Sequence, residues 1–165
     1  MSEERSVAMS PDDTSGVRVL PPLVYFIGLT AGLLLDRAWP VRIVPPAMAP
    51  VFGVAGWVLV AIGLLLPISA VILFRRAGTT PVPTRPTTAL AFGGPYRFTR
   101  NPMYLGLALV QTGVALIANA LLPVVFLVPV LFVIRRYVID REERYLERKF
   151  GESYLSYKRR VRRWL

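Results

Sequence analysis

The sequence predicts an all-α integral membrane protein with about four transmembrane helices, a C-terminal helical hairpin and a cytoplasmic amphipathic helical tail. Three observations carry this. Val51 to Phe74 runs 24 residues without a charge, and Pro102 to Ile134 runs 33. The apolar fraction, 54% of 165 residues, is high for a soluble domain. The charge is segregated: Arg135 to Leu165 holds 11 basic and 5 acidic residues. A helix rises about 1.5 Å per residue, so the shorter run spans roughly 36 Å, enough for a hydrocarbon core of about 30 Å.

The elements follow in order. Residues 1–18 are polar and acidic and read as a disordered tail; they lack the basic start of a signal peptide, so the first apolar segment is expected to stay in the mature protein. Residues 19–165 form one membrane domain. Its first span, 19–35, opens on Pro21-Pro22 and carries Gly28 and Gly32, a spacing that lets another helix approach closely. A proline-rich connector leads to the second span, 51–74, which Pro67 is expected to loosen or kink.

The loop from Arg75 to Asn101 holds five arginines and four prolines. Asn101-Pro102 is a helix-start signal, because asparagine caps free amides and proline fits the first turn. The 33 uncharged residues that follow would make a helix of about 50 Å, too long for one crossing. Asn119 near their middle predicts a tight hairpin of two spans, 103–118 and 120–138, with Pro123 in the first turn of the second. Residues 140–165 interleave aromatic and basic side chains, as an interfacial tail does, with a break near Gly151.

Basic residues set the expected topology. The second loop has five and the C-terminal segment 11, against two in the first connector. The positive-inside rule then puts both termini and the second loop on the cytoplasmic side.

The chain has no cysteine and no histidine. That excludes a thiol nucleophile, a histidine- or thiolate-bound zinc and a Ser-His-Asp triad, and no metal site is expected. Carboxylates, tyrosines, arginines, backbone and a bound cofactor remain. Three motifs stand at the expected cytoplasmic surface. Gly93-Gly94-Pro95-Tyr96 reads either as a tight turn or as a place where backbone approaches a cofactor. Arg100-Asn101-Pro102-Met103-Tyr104 reads as a helix cap with interfacial side chains, or as an anchor whose free amides favour a carboxylate. Glu142-Glu143 reads as a solvated pair or as one inward carboxylate, since consecutive helical residues point about 100° apart.

These motifs, in this order, resemble the isoprenylcysteine carboxyl methyltransferase family and related membrane enzymes that methylate phospholipid amines. The family hallmark is Arg-His-Pro-x-Tyr, a membrane hairpin, then Glu-Glu. The similarity covers about Thr79 to Val161 and includes Gly94-Pro95-Tyr96, Arg100 to Tyr104, Glu142-Glu143 and the tail from Phe150 to Val161. It implies S-adenosylmethionine as cofactor. Carried over by position, the cofactor pocket falls on Thr88, Ala89, Leu90, Ala91, Gly94, Tyr96, Asn101, Pro102, Met103, Tyr104 and Glu142. Arg136, Arg160 and Glu143 are the catalytic candidates. Asn101 stands where the family usually has histidine, so that position carries no proton here. Val138 stands where prenylcysteine enzymes place an arginine for the substrate carboxylate.

The expected function is therefore S-adenosylmethionine-dependent methylation of a hydrophobic, membrane-resident acceptor entering from the bilayer, through a carboxyl, amine or hydroxyl group. The expected partners are this lipid-like substrate and membrane lipids, with no nucleic acid. Two alternatives stand beside it: an NADPH-dependent enzyme similar to sterol reductases, and a non-enzymatic protein whose basic tail binds anionic lipid.

Overall fold

The structure is a computed structural model that describes residues 16–17, 19–76 and 93–165. It is helical, with no strand among the described residues. The helices are α1 (Pro21–Ala38), α2 (Ala49–Arg76), α3 (Pro102–Ile117), α4 (Leu122–Val133), α5 (Asp140–Phe150) and α6 (Glu152–Arg160). A π-helical segment, Ile134–Ile139, joins α4 to α5, and short 3-10 turns cover Pro46–Met48 and Gly94–Arg97.

Two stretches are long and apolar enough to cross a membrane, Pro46–Arg76 and Leu122–Phe150; Pro102–Ile117 is a shorter apolar helix. Only 11% of the apolar window in the first is buried, where the core helix of a soluble protein would be mostly buried. Val51, Val54, Trp57, Leu65 and Ile68 point outward along α2. An outward apolar surface of this extent suits lipid.

Glycines set the helix packing. Gly56 and Gly63 of α2 lie against Gly113 and Gly106 of α3, so the two helices run antiparallel with small residues meeting every seven positions. A Cβ built on Gly63 would sit 2.6 Å from the Gly106 carbonyl oxygen, and one on Gly56 2.6 Å from that of Gly113. Seven residues is close to two helical turns, so the seam stays on one face. Pro67 has no N–H for the carbonyl four residues back, which is that of Gly63. That carbonyl faces Gly106 across the seam.

Helix α1 packs on α4 through Gly28, against Val130, and Gly32, against Pro123, as the spacing of the two glycines predicts. Its buried residues Tyr25, Gly28, Gly32 and Asp36 form one stripe.

The turn between α3 and α4 falls at Asn119, with φ of 48°. Its side-chain oxygen accepts from the amides of Ile43 and Val44, each at 3.1 Å, and its amide donates to the Val44 carbonyl at 3.0 Å. Asn119 thus ties the hairpin turn to the connector between α1 and α2. Pro123 lies in the first turn of α4, as expected. Helix runs on past 138, where the sequence reading ends the last span, through the π segment to Phe150. No glycine or proline lies between Pro129 and Gly151, so nothing local stops it. Gly151, with φ of 50°, ends α5 and turns the chain into α6.

Candidate active site

Four segments meet at one end of the bundle: the Gly94–Arg97 turn, the first turn of α3, the start of α5, and the last residues, 161–165. The edge-on contact of Phe74 and Tyr96, with ring centroids 5.5 Å apart, brings the end of α2 to the same place.

The two adjacent glutamates face different neighbours. Glu142 accepts a 2.7 Å hydrogen bond from the Tyr104 hydroxyl. Tyr104 is fixed from behind, because the Tyr25 hydroxyl donates to its carbonyl at 3.0 Å. Glu143, 5% exposed, sits in a cluster of cations. Arg163 reaches it with two nitrogens, at 2.7 and 3.1 Å, Arg100 at 3.2 Å and Lys158 at 3.7 Å. Arg163 also pairs with Asp140 at 3.1 Å. The preceding π segment has a wider turn than an α-helix. One extra residue rotates everything after it by about 100° and so takes part in deciding which glutamate meets Tyr104.

The chain end straps this arrangement. The Arg163 carbonyl accepts from the Thr99 hydroxyl at 3.0 Å and from the Asn101 side-chain amide at 2.9 Å. The Arg100 amide donates to the Arg162 carbonyl at 2.9 Å. Trp164 packs on the core cluster that contains Val17, Tyr25, Val138 and Ile139. Tyr157 of α6 donates to the Tyr96 carbonyl at 2.8 Å and so holds the glycine-bearing turn.

Charge follows from this geometry. Desolvation pushes the Glu142 carboxyl up to about 7; the Tyr104 hydrogen bond opposes this and the neighbouring Glu143 adds to it. Glu142 lies in the charged segment beyond the apolar part of its helix. Tyr96 is pushed well above the ordinary phenol range, first by burial, then by Glu142 and Tyr157. The Arg163 guanidinium is raised by its hydrogen bonds to Glu143.

Of the residues singled out by sequence, Tyr96, Tyr104 and Glu142 come together. Asn101, Pro102 and Met103 form the adjoining start of α3. Gly94 has φ of 54° and is exposed, while Pro95 and Tyr96 of the turn it opens are half-buried beside them. Thr88, Ala89, Leu90 and Ala91 lie outside the described residues. Asn101 does not cap α3 with its side chain, which holds the Arg163 carbonyl instead. The first amides of α3 therefore have no side-chain cap. Arg136 and Arg160 are both exposed, the latter bonded to the Ser156 carbonyl, and neither meets Glu142. Glu143 is engaged by cations. Val138 is fully buried.

Sequence reasoning passed over Arg163 and Tyr25, and read Tyr157 only as part of the tail. Tyr25 carries a hydroxyl that a largely apolar span must satisfy, which is a readable signal. Arg163 carries none, as one arginine among many in a basic tail.

The profile of the phospholipid methyltransferase family matches residues 51–153, from α2 to the start of α6. The chain belongs to this family. Membership implies a methyltransferase acting on lipid-type substrates, consistent with the apolar helices beside the site. A Haemophilus influenzae protein described as uncharacterized is 43% identical over 63 residues, which cover 38% of this chain and 100% of that protein. No solved structure matches the chain.

Proposed function

We propose that this protein transfers a methyl group from S-adenosylmethionine to a hydrophobic acceptor resident in the bilayer. The observation that carries the reading is the state of Glu142. At this end of the bundle, each of the other described acids has a basic side-chain partner: Asp140 and Glu143 meet Arg163, Glu147 meets Lys158, and Glu152 meets Arg159. Glu142 alone among these described acids meets only a hydroxyl. A desolvated carboxylate without a cation is suited to a cationic ligand group, such as the ammonium of the methionine moiety. The uncapped amides at the start of α3 suit its carboxylate, and the rings of Tyr96 and Tyr104 suit the adenine or the sulfonium. The residues present thus fit the cofactor.

When bound, the cofactor supplies an already activated methyl group. The protein's part is orientation. Tyr104, held by Tyr25, aims Glu142. The strap at Arg163 fixes the start of α3, and Tyr157 fixes the Tyr96 turn. Such fixed geometry suits in-line transfer at roughly 3–3.5 Å. An amine acceptor needs only to be deprotonated and a carboxylate needs no base, so a chain without histidine or cysteine is sufficient. Val138, buried where an arginine would hold a prenylcysteine carboxylate, favours a lipid amine, hydroxyl or different carboxylate.

We further read four crossings, α1, α2, α3 and the apolar part of the helix that starts at Leu122, with the site and both termini cytoplasmic. The excess of arginine at the site end supports this.

Purified protein in nanodiscs, given S-adenosylmethionine with a labelled methyl group, should transfer label to extracted bilayer lipid. Calorimetry should show binding of the cofactor or its demethylated product. No heat with either ligand and no labelled lipid would sink the proposal.

A further inference from the structure

We propose that the site end of the bundle carries a collar of arginines that binds anionic phospholipid headgroups, separately from any methyl acceptor. Two observations carry it. The first is where the arginines stand. Arg75 and Arg76 close α2, and the Phe74–Tyr96 ring contact sets Arg97 beside them. Arg135 and Arg136 stand in the π segment, where the apolar run of its helix ends. Helix α6 then folds back along α5: Lys158 meets Glu147, and Arg163 meets Asp140. That return carries Arg162 back to the level of the π segment. All six are exposed.

The second observation is what they lack. The five described acids at this end are turned inward or already matched, Glu142 to Tyr104 and the other four to Arg163, Lys158 or Arg159. Among the described residues, none of the six collar arginines reaches a carboxylate within ion-pair distance. Like charges gathered at one end of the bundle repel one another and attract counter-charge. The outward apolar surface of α2 places lipid next to the collar, and exposed Phe98 and Tyr137 add aromatic rings of the kind that sit at headgroup level. Zwitterionic headgroups bring no net negative charge to offset the collar. Anionic phospholipids do, and each arginine near such a surface strengthens binding by roughly five-fold at low salt.

The test uses the full chain in detergent micelles and native mass spectrometry. Phosphatidylglycerol and phosphatidylcholine of identical acyl chains compete for retention by the protein. The wild type should retain the anionic lipid at least a hundredfold better, and 0.5 M salt should erase most of that preference. The triple variant Arg75→Gln, Arg76→Gln, Arg97→Gln should lose about a hundredfold of the preference while melting at the wild-type temperature. If this variant melts early, Arg135→Gln, at an exposed position with no ion pair among the described residues, should still lower the preference about five-fold. Equal retention of the two lipids by wild type, or unchanged preference in a variant that melts normally, overturns the proposal. So does a tighter, lipid-independent complex with an acidic peptide or nucleic acid in the same micelles. The readout needs no cofactor, so its failure is distinct from failure of the methyl-transfer reading.

Discussion

Replacing the two adjacent glutamates one at a time should give crossed outcomes. Glu143 is 5% exposed and is the common partner of Arg100, Arg163 and Lys158. Glu143→Ala leaves the Arg100 and Arg163 guanidinium groups beside an apolar gap. The Arg100 side chain is 10% exposed and has little water to turn to. Breaking a buried pair by removing one partner costs about 3–5 kcal/mol. Arg163 keeps Asp140 and is itself partly exposed, so the lower figure applies, about 3 kcal/mol. Glu142→Ala removes a carboxylate that the fold holds at a desolvation cost, so stability of the unliganded protein should change little. It removes the proposed partner of the cofactor ammonium, and one charge-assisted hydrogen bond contributes roughly 1.5–3 kcal/mol, or about 10- to 150-fold in affinity. Thermal unfolding in detergent and calorimetry with the demethylated cofactor, run on both variants, read the two axes. Glu143→Ala should melt well below wild type. Glu142→Ala should melt normally and bind weakly. If the two variants fall together on either axis, or if Glu142→Ala binds as wild type, the division of labour drawn from the geometry is wrong.

Three further outcomes follow from the same structure. The Glu142 carboxyl is raised to about 7 from an unfolded value of 4.5, so the unliganded protein binds this proton more tightly than the unfolded chain does. The stability it contributes falls as pH rises through that window and is flat above it, whereas an ammonium-bearing ligand prefers the ionised form. Cofactor affinity should therefore rise from pH 5 to 7 and level off, with proton release visible as a buffer-dependent heat of binding. In the glycine seam, Gly63→Ala forces a methyl to 2.6 Å from the Gly106 carbonyl and should destabilise by about 1–3 kcal/mol, while Gly53→Ala on the same helix meets nothing within 4 Å and should be near neutral in thermal unfolding. Asn119→Ala loses three hydrogen bonds to Ile43 and Val44 and a residue tolerant of positive φ; Asn119→Gly loses only the bonds, so in the same assay it should melt above the alanine variant.

What the sequence by itself determined is what local physics determines. A run of 24 uncharged residues in α2 has few homes other than lipid, whatever surrounds it. Asn119, Pro123 and Gly151 punctuate the backbone through their own dihedral preferences, so the hairpin turn and the break in the tail were legible. The order of the Gly-Pro-Tyr, Asn-Pro-x-Tyr and Glu-Glu motifs was enough to point to the family. Tertiary structure alone decided the pairings. Glycines seven apart are visible on α2 and on α3, but only packing joins Gly63 to Gly106. Helical geometry says that Glu142 and Glu143 diverge; it does not say which one meets Tyr104, because a π turn ahead of them shifts the register. Arg163 resembles every other arginine of the tail until the chain folds back. Part of its role rests on a backbone carbonyl held by Thr99 and Asn101, more than 60 residues earlier, and a bond to the main chain leaves no mark on side-chain identity.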